Sequence, residues 1–375
     1  MPIINQYDSY YLAPDQAPVI RPATISAGFM LHFHYNFSDR NYWHVACFDG
    51  KSLMQLPQVI PDHILQEIRN KNIILSIGTE YELFIDIPET IYDLITELSI
   101  SAESILLFSA NAKIDKVVDE ISAMRNLPKI QTKWICVSER VVSSYLNKPL
   151  DTLQIKPYPK KFMSLNRRWR TCRLALVSHL RAKNLLEHGF VSLQSFEGST
   201  WDNSWNRMIE LQDYATKELF ENHKDEIINL PNLKLDNTNL DDMSPVTHNL
   251  DNYYLNSYFS IVGGTGFYEK ETPNIAGLCE KTFKAIQKKH PFILMQTVKN
   301  LPLLHGMGYK TFDGLIDESY DNEADDNKRM WMIANEIERL CNLSDTELET
   351  FLTEAKKIVD HNYKNLYYRA FLPIV

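Results

Sequence analysis

The sequence predicts an α/β protein with two sheet-bearing domains, each a Rossmann-like layer of parallel strands flanked by helices. Three observations carry this expectation. Short β-branched runs alternate with segments of helical period from Asn72 onward, the pattern of a parallel sheet covered by helices. The alternation breaks at Lys156-Pro157-Tyr158-Pro159-Lys160-Lys161 and restarts at Phe162, as a linker would make it do. Two long amphipathic segments, 326–340 and 344–361, close the chain. With 375 residues there is enough chain for two cores. The predicted division is 1–158, 159–345, and a C-terminal helix and tail at 346–375.

Taken in order, residues 1 to about 40 contain Pro14, Pro18 and Pro22 and read as an extended arm leading into a strand or two near 28–35. Positions 72–77 are a strand. Positions 88–98 are a helix, with Ile91, Leu94, Ile95 and Leu98 on one face. A buried strand at 104–109, a helix at 115–124 and a strand at 133–138 complete the first half. In the second half, 162–165 is a strand and 173–186 a helix turning Leu174, Val177, Leu180 and Leu185 inward, with Gly189 as its left-handed cap. Residues 200–249 are polar, Asn- and Asp-rich and partly helical, an insertion in character. Strands at 258–262 and 292–295 bracket a helix at 280–286.

Composition excludes several classes. Hydrophobic content of 44% with 23% charged residues is that of an ordinary globular protein. A formal charge of −9 argues against a non-specific nucleic-acid binder. Five cysteines (Cys47, Cys136, Cys172, Cys279, Cys341) lie far apart with no C-x-x-C spacing, which suits reduced thiols. The start of the chain lacks the apolar core of a signal peptide, and no apolar run approaches the ~20 residues of a membrane helix. A cytoplasmic protein without a membrane span is expected. Asp241-Asp242 and Asp325-Asp326 are not the Asp-x-Asp that follows a strand in metal-dependent transferases, and His32 and His34 read as a core or surface pair. No metal and no cofactor are therefore expected.

Chemistry concentrates at strand-to-helix junctions. Glu280, Lys281 and Thr282 open a helix, and Lys284 follows one turn on. A helix start offers unpaired N–H groups to an anion, and lysines there suit a phosphate. The carboxylate has the acceptor geometry to take both hydroxyls of a ribose. Together they fit a nucleotide-sugar donor. Asn166-Arg167-Arg168-Trp169-Arg170 follows the 162–165 strand, where open α/β sheets bind ligands. Guanidinium groups hold a diphosphate bidentately and stay charged. Arg167 and Arg168 are expected to do so, whereas Arg170 and Arg173 are expected to face solvent or the linker, and Asn166 to form the turn beside the donor. Gly263-Gly264-Thr265-Gly266 lacks the spacing of a phosphate loop. Gly264 and Thr265 are expected either to bring backbone close to the donor or to form a simple turn. In the first half, Glu80 follows the 72–77 strand as the candidate general base, and Asn111 ends the 104–109 strand as a candidate acceptor contact. Asp313, Asp317, Glu318 and Asp321 occupy turn and helix-start positions suited to capping.

The run beginning at Glu280, with EKTFKAI, HPFIL and LHGMGYKTFDGLIDESYD, resembles the C-terminal half of GT-B-type glycosyltransferase-like proteins common in phage, viral and bacterial genomes. A second block, FMSLNRRWRTCRLALVSHLRAKNLLEHGFVS at 162–192, resembles the same proteins, and the two blocks together cover about a fifth of the chain. The Glu-Lys-x-x-Lys piece is also similar to fucosyltransferase- and exostosin-like enzymes. The resemblance implies two Rossmann-like domains facing across a cleft. It also implies ribose held by Glu280, diphosphate held by Lys281, and Lys284 either sharing the phosphate or pointing outward. The implied activity is metal-independent transfer from a nucleotide-diphosphate sugar to an acceptor hydroxyl, on a glycan or on a hydroxymethylated base of phage DNA in the host cytoplasm. A non-catalytic nucleotide- or glycan-binding module with the same fold is the alternative. This chain has no acid in the 263–266 loop, where the resembling proteins often have one, and a catalytic role there loses support.

Overall fold

The computed structural model describes residues 8–12, 19–22, 41–47, 50–79, 86–143, 153, 158–166, 170–193, 201–228, 250–264 and 266–370. These residues form two compact units. The first holds the described residues up to Val137 together with Asn274–Gly277. The second holds the described residues from Ser138 to Pro273 and Leu278–Ala370. The α/β reading with two sheets holds. The units divide between Val137 and Ser138, ahead of the proline–lysine segment, and the long C-terminal helix belongs to the second unit.

The first unit is built on a six-stranded sheet in the order β2-β1-β3-β4-β5-β6. Its strands are β1 (Asp8–Leu12), β2 (Val19–Pro22), β3 (Asn41–Cys47), β4 (Ile73–Thr79), β5 (Ile105–Ser109) and β6 (Gln131–Trp134). Only the β1–β2 pair is antiparallel. Alternation in β3, β4 and β5 sends Trp43, Val45, Cys47, Leu75, Ile77, Ile105 and Leu107 into one core. Three helices cover that face: α1 (Asp62–Arg69), α2 (Asp86–Leu98) and α3 (Ile114–Arg125), through such residues as Ile64, Ile68, Ile91, Leu94, Val118 and Ile121. Each fully buried aliphatic side chain there contributes roughly 1.5–3 kcal/mol. The opposite face carries a smaller cluster of Ile74, Leu106 and Phe108. Asn126, left-handed at φ 52°, ends α3.

Two expectations in this half need comment. The strand expected at 133–138 lies earlier, at Gln131–Trp134, and the apolar residues after it open α4 (Val137–Ser143). Glu139 explains the shift. It is 2% exposed and turned inward, where Tyr309 donates to it at 2.6 Å and Arg369 Nε at 2.5 Å. The strand expected near 28–35 lies outside the described residues.

The second unit contains a four-stranded parallel sheet in the order β10-β9-β7-β8: β7 (Lys160–Asn166), β8 (Gly189–Leu193), β9 (Ser257–Gly263) and β10 (Phe292–Met295). Its central helix, α5 (Thr171–Ala182), is buried at every position from Thr171 to Leu180. It packs against α6 (Trp201–Glu210), α7 (Tyr214–Asn222) and α10 (Asp326–Cys341). The helix α8 (Glu280–Gln287) joins β9 to β10 and packs on α11 (Asp345–Ala370). The short α9 (Leu301–Gly306) follows β10.

Gly189 is not the left-handed cap expected of it. It is extended at φ −123° and opens β8, a strand the sequence reading missed. The left-handed residue is Asn184 at φ 55°. Gly189 has a different reason to be glycine: a Cβ there would lie 2.2 Å from the Phe162 ring of the neighbouring strand.

Candidate functional site

The strand order locates the site before any side chain does. Read from its edge, the second sheet runs β8-β7-β9-β10, so the chain leaves β7 in one direction and β9 in the other. Ligands of open α/β sheets bind at such a reversal, beyond the C-terminal ends of the two central strands. The first sheet steps in sequence from β3 to β6 and has no such reversal among those strands.

Asn166 and Gly263 end the two central strands. Asn166 is 2% exposed; its backbone N–H donates to Ser192 Oγ at 2.8 Å and its side-chain amide to Ser164 Oγ at 3.0 Å. A Cβ on Gly263 would lie 3.5 Å from Asn166 Oδ1 and 3.7 Å from Arg173 Nε. Arg173, in the first turn of α5, is thus at the junction and not in solvent. It is 4% exposed, and its Nη2 lies 3.4 Å from the Gly263 carbonyl and 3.5 Å from that of Gly264. Side chains of a helix lean toward its N-terminus, so a long residue on the third position reaches back over the helix start. That lean was the available signal for Arg173. Burial lowers its pKa; Arg170 acts in the same direction, while Cys172, Cys279 and Glu280 oppose it.

The facing wall is the start of α8. Cys279 is the N-cap, followed by Glu280 and Lys281, which pair with each other. Burial pushes the Glu280 carboxyl up, but the Lys281 ammonium, its own backbone amide and the Arg173 guanidinium outweigh it and hold the group below the usual range. An ionised acceptor and two fixed cations therefore share one corner. Lys284 does not point outward: it is 6% exposed, turned into the unit a turn further on.

Gln296, directly after β10, is a residue the sequence reading did not consider. It is 5% exposed, and its amide donates to Cys279 Sγ at 3.1 Å. It also explains Gly264, where a Cβ would meet Gln296 Cγ at 2.6 Å. Gly264 is glycine because another side chain occupies the space. Of the acids expected at capping positions, Asp321 accepts from the amides of Asn300 and Leu301 at 3.1 and 3.0 Å, at the start of α9, and Asp317 accepts from the Ser319 amide. Asn111, in the first unit, is 0% exposed and bonded to the backbone of Asn274 and Ala276. Glu80, Arg167, Arg168 and Thr265 lie outside the described residues. Among the described residues, no group of three His, Cys, Asp or Glu side chains could hold a metal ion, and no helix is long and apolar enough to cross a membrane.

No protein-family model matches the chain, and no curated protein matches it. Among solved structures, it is similar to the GtfA/B complex at a TM-score of 0.39 and 11% identity, over 95% of this chain and 62% of that one. It is also similar to an alpha,alpha-trehalose-phosphate synthase (UDP-forming) from Burkholderia vietnamiensis, at a TM-score of 0.38 and 10% identity, over 92% of this chain and 75% of that one. A third is the sucrose-phosphate synthase from Thermosynechococcus elongatus, at a TM-score of 0.36 and 14% identity, over 92% and 75%. The chain thus spans less than two thirds of the first of these structures.

Proposed function

We propose that the protein is a metal-independent glycosyltransferase of the GT-B type. It would move a sugar from a nucleotide-diphosphate sugar, held by the second unit, to an acceptor hydroxyl. One observation carries the reading: a buried arginine, Arg173, at the reversal point of a parallel sheet, electrostatically coupled to Glu280 at the start of the opposing helix. Departure of a nucleoside diphosphate concentrates negative charge on its oxygens. Preorganised cations in a site shielded from water stabilise that charge far better than mobile ones. In this reading Arg173 and Lys281 face the diphosphate, with Arg167 and Arg168, next in sequence after β7, added to them. Glu280 accepts from the ribose hydroxyls. Glu80 remains the candidate base, and the acceptor is a glycan or a hydroxymethylated base in phage DNA, modified in the cytoplasm. The motif resemblance at 162–192 and from Glu280 onward supports the same class.

The test is hydrolysis and transfer with a panel of UDP- and GDP-sugars in EDTA. Turnover of at least one donor is expected. Activity that vanishes with EDTA and returns only with Mn²⁺ would overturn metal independence. Nucleotide binding without turnover of any donor would leave a recognition module. A gel shift with plain and hydroxymethylated DNA separates the acceptor classes.

A further inference from the structure

Gln296 carries one hydrogen-bonding atom that the fold leaves unused. The side chain is 5% exposed, yet among the described residues nothing donates to its Oε1. Most buried side-chain oxygens have a partner, and one without is destabilising. The amide around that atom is held in place. Its nitrogen donates to Cys279 Sγ at 3.1 Å, which turns the oxygen away from Cys279. Its chain lies over Gly264, where a Cβ would come 2.6 Å from Cγ and 3.1 Å from Nε2. Gly264 is fixed in turn: its amide donates to the Met295 carbonyl at 3.0 Å, one step beyond the last register pair of β9 and β10, Gly263 with Met295. Gln296 therefore stands at the strand ends inside the second unit. It touches Cys279, next in sequence to Glu280, and Gly264, whose carbonyl lies 3.5 Å from Arg173 Nη2.

Chemistry narrows what can reach Oε1. An amide oxygen only accepts, so an ionised phosphate has nothing to offer it, whereas an uncharged O–H or N–H does. We propose that Gln296 is a specificity-determining residue whose Oε1 accepts a hydrogen bond from an uncharged O–H or N–H of the donor substrate, on its sugar or on its base. The proposal rests on the donor-site reading above and extends it. Arg173, Lys281 and Glu280 face diphosphate and ribose, which all nucleotide-diphosphate sugars share. Gln296 reads a part in which they differ. A buried acceptor rejects an analogue lacking the matching group, because the oxygen is then left without a partner.

The test pairs changes in the protein with changes in the donor. Gln296→Met keeps the length of the side chain and removes the acceptor; Gln296→Asn keeps an amide but draws it back by one methylene. The probes are the best donor of the UDP- and GDP-sugar panel, analogues of it that each lack one sugar hydroxyl, and an analogue methylated at the base N–H. Kd and kcat/KM are measured for each. The wild type is expected to reject one analogue by about tenfold or more, and both variants to lose most of that discrimination. A deoxy-sugar analogue in that place puts the contact on the sugar; the methylated one puts it on the base. The ratio between donor and analogue is taken within one protein, so a lower folded fraction in a variant leaves it unchanged. If both variants reject every analogue as strongly as the wild type does, Gln296 has no part in specificity. If the wild type binds neither UDP nor GDP and turns over no donor, the donor site itself is wrong and the role of Gln296 falls with it.

Discussion

Replacing Arg173 by methionine separates a structural arginine from one that serves a ligand. The guanidinium is 4% exposed, with its Nη2 3.4 Å from the Gly263 carbonyl and 3.5 Å from that of Gly264, at the long end of hydrogen bonding. A buried charge is costly to desolvate, but Arg173 is coupled to Glu280, and removing one partner of a buried charge pair is destabilising. The melting temperature of the free protein is therefore expected to fall. Donor turnover is expected to fall further than that loss of stability accounts for. Losing one charged contact to a departing diphosphate costs on the order of 2–4 kcal/mol, roughly 30- to 1,000-fold in kcat/KM. Arg173→Lys keeps the charge, loses the planar fork, and should fall between. The pH profile adds a second readout. Burial, opposed by Lys281, the backbone amide and Arg173, leaves the Glu280 carboxyl below its usual range. Without Arg173 it rises, so the ionised form is lost at a higher pH and donor KM climbs earlier on the acid side. Steady-state kinetics with the best donor, alongside thermal melting, measures all of this. A methionine variant that melts lower yet keeps wild-type turnover would show Arg173 to be structural.

Other consequences are as direct. Glu280→Ala is expected to raise donor KM with a smaller effect on kcat, because ribose hydrogen bonds are made equally in the ground and transition states; a change confined to kcat would contradict the assignment. Gly264→Ala drives a methyl toward Gln296 Cγ, 2.6 Å away, and should cost about 1–3 kcal/mol; chemical denaturation of Gly264→Ala with and without Gln296→Ala should show partial rescue if that clash is the cause. His179 is 1% exposed, neither ring nitrogen has a hydrogen-bond partner, and burial lowers its pKa to about 3. The unfolded chain therefore takes up a proton near pH 6.5 that the folded one refuses, and stability falls by about 2 kcal/mol between pH 7 and pH 5 on this account. His179→Leu removes that loss; Glu318 and Asp321, raised by burial to about 7 and about 6, act with opposite sign but are common to both proteins, so parallel acid limbs for variant and wild type would sink the claim.

Much of the second unit was legible because its core elements are short apolar runs bounded by turns: β10 lies at 292–295 as expected, and α8 and α10 begin at Glu280 and Asp326 as expected. What stayed hidden depends on neighbours distant in sequence. Gly189 reads as a helix cap until Phe162 is seen 2.2 Å from its missing Cβ. Gly264 reads as a donor-side backbone approach or a simple turn until Gln296 is seen 2.6 Å from its missing Cβ. Glu139 sits where an apolar run suggests strand, and its partners Tyr309 and Arg369 lie 170 and 230 residues further along the chain. Arg173 was misplaced for a more local reason. Three arginines shortly before it form the obvious basic cluster, and density of charge gives no sign that helical lean carries Arg173 back to the strand ends.

The candidate site also shows why no single motif announces it. Its members come from five separate stretches: the end of β7, the first turn of α5, the end of β9, the start of α8 and the residue after β10. All five meet because a parallel sheet ends its strands at one edge and α8 begins near that edge. A sequence of net charge −9 offers an anionic donor no long-range attraction, so affinity has to come from cations fixed close to the ligand. Burial of Arg173 serves that need, since a charge held in a low-dielectric corner is little screened by salt. Its cost in stability is offset by the depressed carboxyl of Glu280 across from it. Acid and arginine are thus a coupled pair before any donor arrives. A diphosphate entering beside them meets a positive charge already in place, and a ribose meets a carboxylate already ionised.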